Sequence, residues 1–176
     1  MSWINALDAG HTVTHELDIV SRLLLAAAVG AAIGIEREMK DRPAGLRTHM
    51  LTALASAVFT ILTFEIHQSA KSTTDPARIV EAVTAGVAFL AAGAIIQSRR
   101  GVYGLTTGAA MWMAGALGVA CGAGYFVLAI LATVLTVAIL TLLNTLDTTF
   151  GTSAGGEVPE LRRDAERQEK RASSQL

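Results

Sequence analysis

Gly34-Ile-Glu-Arg-Glu-Met-Lys-Asp-Arg-Pro-Ala-Gly-Leu-Arg-Thr-His49 is a sixteen-residue stretch in which seven residues are charged. On either side lie apolar segments, Ile19–Ile35 and Met50–Phe64. Each is close to the length that crosses a bilayer, about 20 residues. A charge-dense turn between two such segments predicts a polytopic membrane protein. Working outward, the same pattern recurs. From Gly101 to Thr145 the chain runs 45 residues without a single Asp, Glu, Lys or Arg. A small soluble domain has no place to put such a stretch, whereas lipid accommodates it as two crossings.

Composition agrees. Hydrophobic residues make up 52% of the 176 and charged residues 16%, against about 25% charged in ordinary soluble domains. No basic patch interleaved with aromatic residues exists, so nucleic acid is not an expected partner. Cys121, the lone cysteine, reads as a buried small apolar residue. Residues 1–18 hold Asp8, Glu16 and Asp18 but no Lys or Arg; they lack the basic start of a secretory signal and read as an N-terminal arm on the periplasmic side.

The expected fold is all-α and integral to the membrane, with five transmembrane helices near 19–36, 47–66, 78–97, 104–121 and 125–144. These form one domain over 19–146, and residues 147–176 form a charged tail. Five crossings place eleven basic residues on one side: Arg37, Lys40, Arg42, Arg47, Arg99, Arg100, Arg162, Arg163, Arg167, Lys170 and Arg171. Only Arg22, Lys71 and Arg78 fall on the other. By the positive-inside rule the N-terminus is outside and the tail cytoplasmic. The tail opens on Gly151-Thr-Ser-Ala-Gly-Gly156 and continues as a charged stretch without an apolar face. It reads either as a solvated segment or as a docking peptide for a protein or an anionic lipid surface.

Charge inside a span is costly and marks candidate sites. Arg22 and Glu81 fall at a common depth and suggest a pair; the alternative is that Arg22 snorkels and Glu81 faces water. In the loop, Glu36–Lys40 and Arg37–Asp41 stand at i, i+4 spacing. Pro43 stops the first helix, and Thr48 is the expected cap of the second. Glu36, Arg37, Glu38, Arg47, Thr48 and His49 therefore form the candidate functional cluster, read as a paired network rather than an ordinary basic loop. Metal binding is not expected: Glu36, Glu38 and Asp41 offer carboxylates, but Arg37, Lys40, Arg42 and Arg47 oppose a cation. His11 and His15 read as polar residues more readily than as ligands. No cofactor is implied. No Ser–His–acid or Cys–His set shares a depth, so no enzyme is expected.

Small residues mark faces suited to helix contact, within the chain or between chains. Gly30 and Gly34 form a G-x-x-x-G on the first helix, Gly86 and Gly93 share a face of the third, and Gly118 and Gly122 belong to a Gly-rich fourth. Thr106 and Thr107 beside Gly104 suggest a broken or re-entrant start to the fourth helix. Trp112 reads as packed between helices. The fifth helix, aliphatic all round, is expected to face lipid, and the short turn Cys121-Gly-Ala-Gly124 makes the last two helices an antiparallel hairpin.

Arg22, the run Gly30-Ala-Ala-Ile-Gly-Ile-Glu-Arg-Glu38 and Pro43-Ala-Gly-Leu-Arg-Thr-His-Met50 resemble the signature of the MgtC/SapB (YhiD) family. Gly86-Val-Ala-Phe-Leu-Ala-Ala-Gly93, Gly104-Leu-Thr-Thr-Gly-Ala-Ala-Met-Trp112 and Gly118-Val-Ala-Cys-Gly-Ala-Gly124 resemble its third and fourth helices. Ala88 and Ala91 stand where glycine is expected. The resemblance implies a bacterial inner-membrane protein tied to Mg²⁺ limitation and, in pathogens, to survival inside host cells. Some relatives are described as restraining the F-type ATP synthase through its membrane subunit, and older labels call the family Mg²⁺ transport proteins. It also implies a short form, with the charged tail in place of the family's cytoplasmic ACT-like domain. The leading expectation is a regulator acting through helix contact with another membrane protein, in the bilayer and open to homo-oligomers. A small oligomeric Mg²⁺ transporter or channel and a purely structural module are the alternatives.

Overall fold

The first helix, α1 (Ser2–Met39), ends on backbone geometry that the loop sequence dictates. Asp41 adopts φ 51°, Asp41 N–H donates to Glu38 O (3.1 Å) and Arg42 N–H donates to Arg37 O (3.1 Å). That pair of bonds is a Schellman motif, with Asp41 in the left-handed position usually held by glycine and Pro43 just beyond it. The structure, a computed structural model, describes residues 2–70, 75, 77–98 and 101–150, with backbone only for 2–13, 68–70, 96–98, 101 and 143–150. The tail from 151, Lys71, Arg99 and Arg100, and the side chain of His11 lie outside what is described. Asp41→Gly relieves the left-handed strain and should raise thermal stability in detergent by about 1 kcal/mol. A fall in the melting temperature would contradict this account of the turn.

Helices α2 (Leu46–Ala70), α3 (Ala77–Gly93), α4 (Leu105–Gly122) and α5 (Phe126–Phe150) follow. The five expected helices are therefore present, with altered ends. α1 starts at Ser2 rather than 19, since nothing in residues 2–18 interrupts helical bonding. α3 stops at Gly93 rather than 97, because the chain turns into a two-stranded hairpin, β1 (Ile96–Ser98) and β2 (Gly101–Tyr103), paired antiparallel with Gln97 opposite Val102. Gly104 (φ 84°) then starts α4 directly, so its start is a tight corner rather than a broken span. A side chain on Gly104 would lie on Ala94 O. The second sharp corner is Gly124 (φ 82°): Gly124 N–H donates to Cys121 O and Tyr125 N–H to Ala120 O, again a Schellman turn, giving the α4–α5 hairpin.

Contacts fix the order of the bundle. Gly30 of α1 abuts His49 and Met50 of α2, and Gly34 abuts Leu46, so these helices are antiparallel. Gly118 of α4 meets Ala53 and Ser56, and Gly122 meets Ala57 and Thr60, so α2 and α4 run parallel. Gly108 approaches Ala91 and Gly115 approaches Val87, which sets α3 antiparallel to α4. Directions thus alternate along the chain. The α1–α2 loop and the β1–β2 hairpin share one end, called here the loop end.

The core sits between α1, α2 and α4. Ala26, Val29, Ile33, Ala57, Ala110, Leu117, Cys121 and Ala129 form it, and α4 is the most deeply buried helix. Most of these side chains are small because the backbones approach closely, as they must where lipid supplies no hydrophobic drive between helices. α5 buries Ala129 and Thr133 and exposes Val127, Leu128, Leu131, Val134 and Leu135, as expected of a lipid-facing helix. Thr14–Met39, Leu46–His67 and Leu105–Gly122 are long and apolar enough to cross a membrane, and Phe126–Leu142 is a shorter apolar helix. One packing expectation fails, and another is met by no contact inside the chain. Trp112 is 45% exposed, because the buried face of α4 is filled by residues 111, 114, 115 and 118. Gly86 and Gly93 contact nothing within 4 Å beyond a built Cβ, so they do not pack within the chain.

Candidate functional site

The loop end divides the expected cluster into a buried half and an exposed half. Glu36 (8% exposed), Arg37 (3%) and His49 (0%) are inside; Glu38 and Arg47 are outside, with Thr48 between. Helical phase explains the split. Gly34 and Gly30 press α1 onto the first turns of α2, which puts Glu36, Arg37 and His49 on the facing sides.

Arg37 reaches from α1 to α4, where its Nη2 donates to Thr107 Oγ1 at 2.9 Å. It does not pair with Asp41, because Asp41 has left the helix at the Schellman turn and points outward. Glu36 Oε1 lies 2.6 Å from Lys40 Nζ, the expected i, i+4 ion pair, close in distance though not aligned as a hydrogen bond. His49 Nδ1 donates to Gly45 O at 2.9 Å. A carbonyl only accepts, so Nδ1 carries the proton and neutral His49 keeps its lone pair on Nε2. Nε2, Arg37 Nε and Glu36 Oε2 are buried without hydrogen-bond partners. His49 lies within Coulomb range of both Arg37 and Glu36. The result is a small charged knot at one end, in which Arg37 bonds α1 to α4 and His49 of α2 lies buried nearby.

The exposed half is built on that knot. Glu38 Oε2 accepts Leu46 N–H at 2.6 Å and so caps α2. This replaces the expected Thr48 cap; Thr48 lies inside the first turn of α2, where its carbonyl accepts from Thr52 Oγ1 (2.8 Å). A carboxylate at a helix N-terminus is favoured by the helix dipole. Gly45 leaves room for this approach, since a Cβ there would stand 2.7 Å from Glu38 Oε2 and push the carboxylate aside. Glu38, Asp41, Arg42, Gly45, Arg47 and Thr48 line an open recess of about 450 Å³. Both signs of charge face it, on a floor of backbone held in place by the buried half.

At the opposite end Arg22 pairs with Asp18 (2.8 Å) and donates Nη1 to Gly122 O at 2.8 Å, closing the C-terminus of α4. The expected Arg22–Glu81 pair does not form: Glu81 is on the exposed face of α3, turned away from α1. His15 Nε2 lies 3.2 Å from Glu65 Oε1 of α2. Among the described residues no group of three or more His, Cys, Asp or Glu is placed to hold an ion.

Sequence reasoning missed Thr107 as the partner of Arg37, Asp18 as that of Arg22, and the buried hydroxyl stripe Thr52–Ser56–Thr60. The stripe had a signal, its four-residue spacing on α2. Each hydroxyl donates to the carbonyl one turn back (2.7–2.8 Å), which satisfies it within the helix and leaves a small face for Gly118 and Gly122.

Comparison with known proteins follows the same stretch of chain. The putative magnesium transporter YhiD of Escherichia coli K12 is 38% identical over 127 residues, 70% of this chain and 59% of its own. Protein MgtC of Salmonella typhimurium is 39% identical over 116 residues, covering 66% and 48%. Protein SrpB of Synechococcus elongatus is 40% identical over 130 residues, covering 68% and 71%. The chain thus spans about half the length of several curated relatives it matches. No solved structure matches significantly. The family described as MgtC matches residues 23–149, which takes in the charged knot, the capped loop and every close glycine contact of the bundle, and this all-α membrane protein belongs to the MgtC family.

Proposed function

We propose that this chain is a multi-pass protein of the bacterial inner membrane, linked to Mg²⁺ homeostasis and stress adaptation, that regulates another membrane complex by direct contact. It is non-catalytic in this reading, and its loop end faces the cytoplasm. The family relationship supports the link to Mg²⁺, and the resemblance to regulators of the F-type ATP synthase makes that complex the first candidate partner. Survival under host-like stress is the matching physiological setting.

One observation carries the regulatory reading. The charged loop is not a loose tether: Arg37 at its base bonds across to α4, Glu38 caps α2, and Asp41, Arg42 and Arg47 line the recess beside them. Such preorganisation suits recognition. A permeation path would call for carboxylates along a span, whereas Glu36 pairs with Lys40 and Glu81 points outward. A detergent-solubilised pull-down from native membranes, compared between wild type and Arg47→Ala, tests it. The variant should fold normally and lose a co-purifying complex that the wild type retains. An identical set of co-purifying proteins would argue against the loop surface. Liposomes holding the purified protein should pass no Mg²⁺; flux that depends on Glu36 or Glu81 would establish the second reading, an oligomeric transporter or channel, which the name of the YhiD relative favours.

A further inference from the structure

We propose that His49 makes the loop end sensitive to acid: when its Nε2 takes a proton from solvent, the first turn of α2 parts from Arg37 and the recess beside it loses its shape. The consequence for a partner rests on the regulatory reading; the opening itself does not.

His49 is the last residue of the charged stretch, and the apolar segment begins at Met50. Its side chain has no exposed surface. Close backbones seal it in: a Cβ on Gly30 would stand 2.6 Å from His49 O and 2.9 Å from Met50 Cα. Nδ1 donates the ring's one proton to Gly45 O, and Nε2 is buried with no partner. The closed site thus holds the neutral ring. A second proton would create a buried N–H with nothing to accept it, and a charge where water does not reach.

The surrounding charges offer that proton no counterion. From α1, Arg37 and Glu36 lie within Coulomb range of the ring, and Arg42 stands near Arg37. Glu36 is the buried acid of the group, and Lys40 already holds it at 2.6 Å. Glu38 is exposed and engaged by Leu46 N–H. On α2 itself, Arg47 is exposed. α4 carries no Asp, Glu, Lys, Arg or His, and its Cys121 sits beside Gly122, which meets Ala57 and Thr60 two turns or more along α2. The charges of α3, Arg78 and Glu81, belong to its opposite end.

Opening answers the charge by admitting water, and it is local. The first turn of α2 leads into an exposed loop, whereas later turns are sealed against Gly118 and Gly122. Gly45, Leu46, Arg47 and Thr48 line the recess and lead into or form that turn, so they move with it. Histidine in water exchanges its proton near pH 6.5. Above that pH neither form binds the second proton. Below it the open form binds it and the closed form does not, so the open population rises, by up to about tenfold per pH unit.

Thiol labelling of the purified full chain in detergent tests the opening. Ala44→Cys is the reporter, because Ala44 is buried in the loop, and the buried Cys121 stays in place. Rates are compared at each pH with the same reporter carrying His49→Asn, which keeps a donor for Gly45 O and takes up no proton. The two should agree at about pH 7.5, and the chain with His49 should label several-fold faster at about pH 5.5. Ring-nitrogen NMR of the wild type, with ¹⁵N-labelled histidine, is the second measurement and decides even where His49→Asn fails to fold. The neutral Nδ1–H signature of His49 should give way to the doubly protonated one in step with labelling. Equal labelling at every pH, a gain that persists in His49→Asn, or a ring that charges without any gain in labelling would each overturn the proposal. The last result would mean that Glu36 answers the charge in place. Pull-downs at the same two pH values keep the readings apart: no co-purifying complex at either pH counts against the regulatory surface, while labelling and NMR still judge the opening.

Discussion

Gly118→Val should prevent accumulation of the folded protein. A Cβ at this position would lie 2.2 Å from Ala53 O and 2.8 Å from Ser56 Cβ. The obstacle is the backbone of α2, not the tip of a flexible side chain, so relief requires moving one helix off another. Overpacking usually costs about 1–3 kcal/mol. Here α2 also holds the knot through His49 and meets α1 through Gly30 and Gly34, so its displacement breaks other contacts, and a loss beyond about 3 kcal/mol is expected on that scale. Unfolding in mixed micelles and the yield of folded protein both report it. Gly93→Val is the control: it faces open space and should stay within about 0.5 kcal/mol of wild type. If both valines behave alike, the α2–α4 seam is not where the helices touch.

Arg37→Met carries the second large effect. The substitution removes the bond to Thr107 and one of the positive charges near the buried Glu36, which keeps its ion pair with Lys40. Losing a buried hydrogen bond made by a charged group costs about 1.5–3 kcal/mol. Arg37→Met combined with Glu36→Gln should recover part of that loss, through a coupling of about 0.5–3 kcal/mol. The exposed Arg47→Ala should change stability by no more than about 0.5 kcal/mol. Melting curves of the four proteins in one detergent decide the matter; additive single and double effects would show that Glu36 and Arg37 do not share a network.

Much of this was legible in the residues. The five helices, the antiparallel final hairpin, the lipid-facing α5 and the Glu36–Lys40 pair all follow from local rules. So does the use of Gly30, Gly34, Gly118 and Gly122 as contact points. Other readings failed where phase, not composition, decides. Composition left open which small-residue faces pack inside the chain: Gly86 and Gly93 face outward, whereas Gly118 and Gly122 are sealed against α2. Arg22 had acids at its depth on two helices and took Asp18, one turn away on its own. Glu38 rather than Thr48 caps α2, because the Schellman turn at Asp41 brings the chain back over Glu38.

The sequence by itself determined how many apolar helices there are and which segments carry the charge. Backbone polar groups in lipid must be satisfied within a segment, so length and hydropathy suffice for that much. Only the tertiary structure decided which face of each helix turns inward, and with it the division of one charged loop into a buried knot and a presented surface. The reason is that an apolar helix in an apolar solvent has no hydrophobic side to prefer; close fit between glycine and backbone sets its rotation.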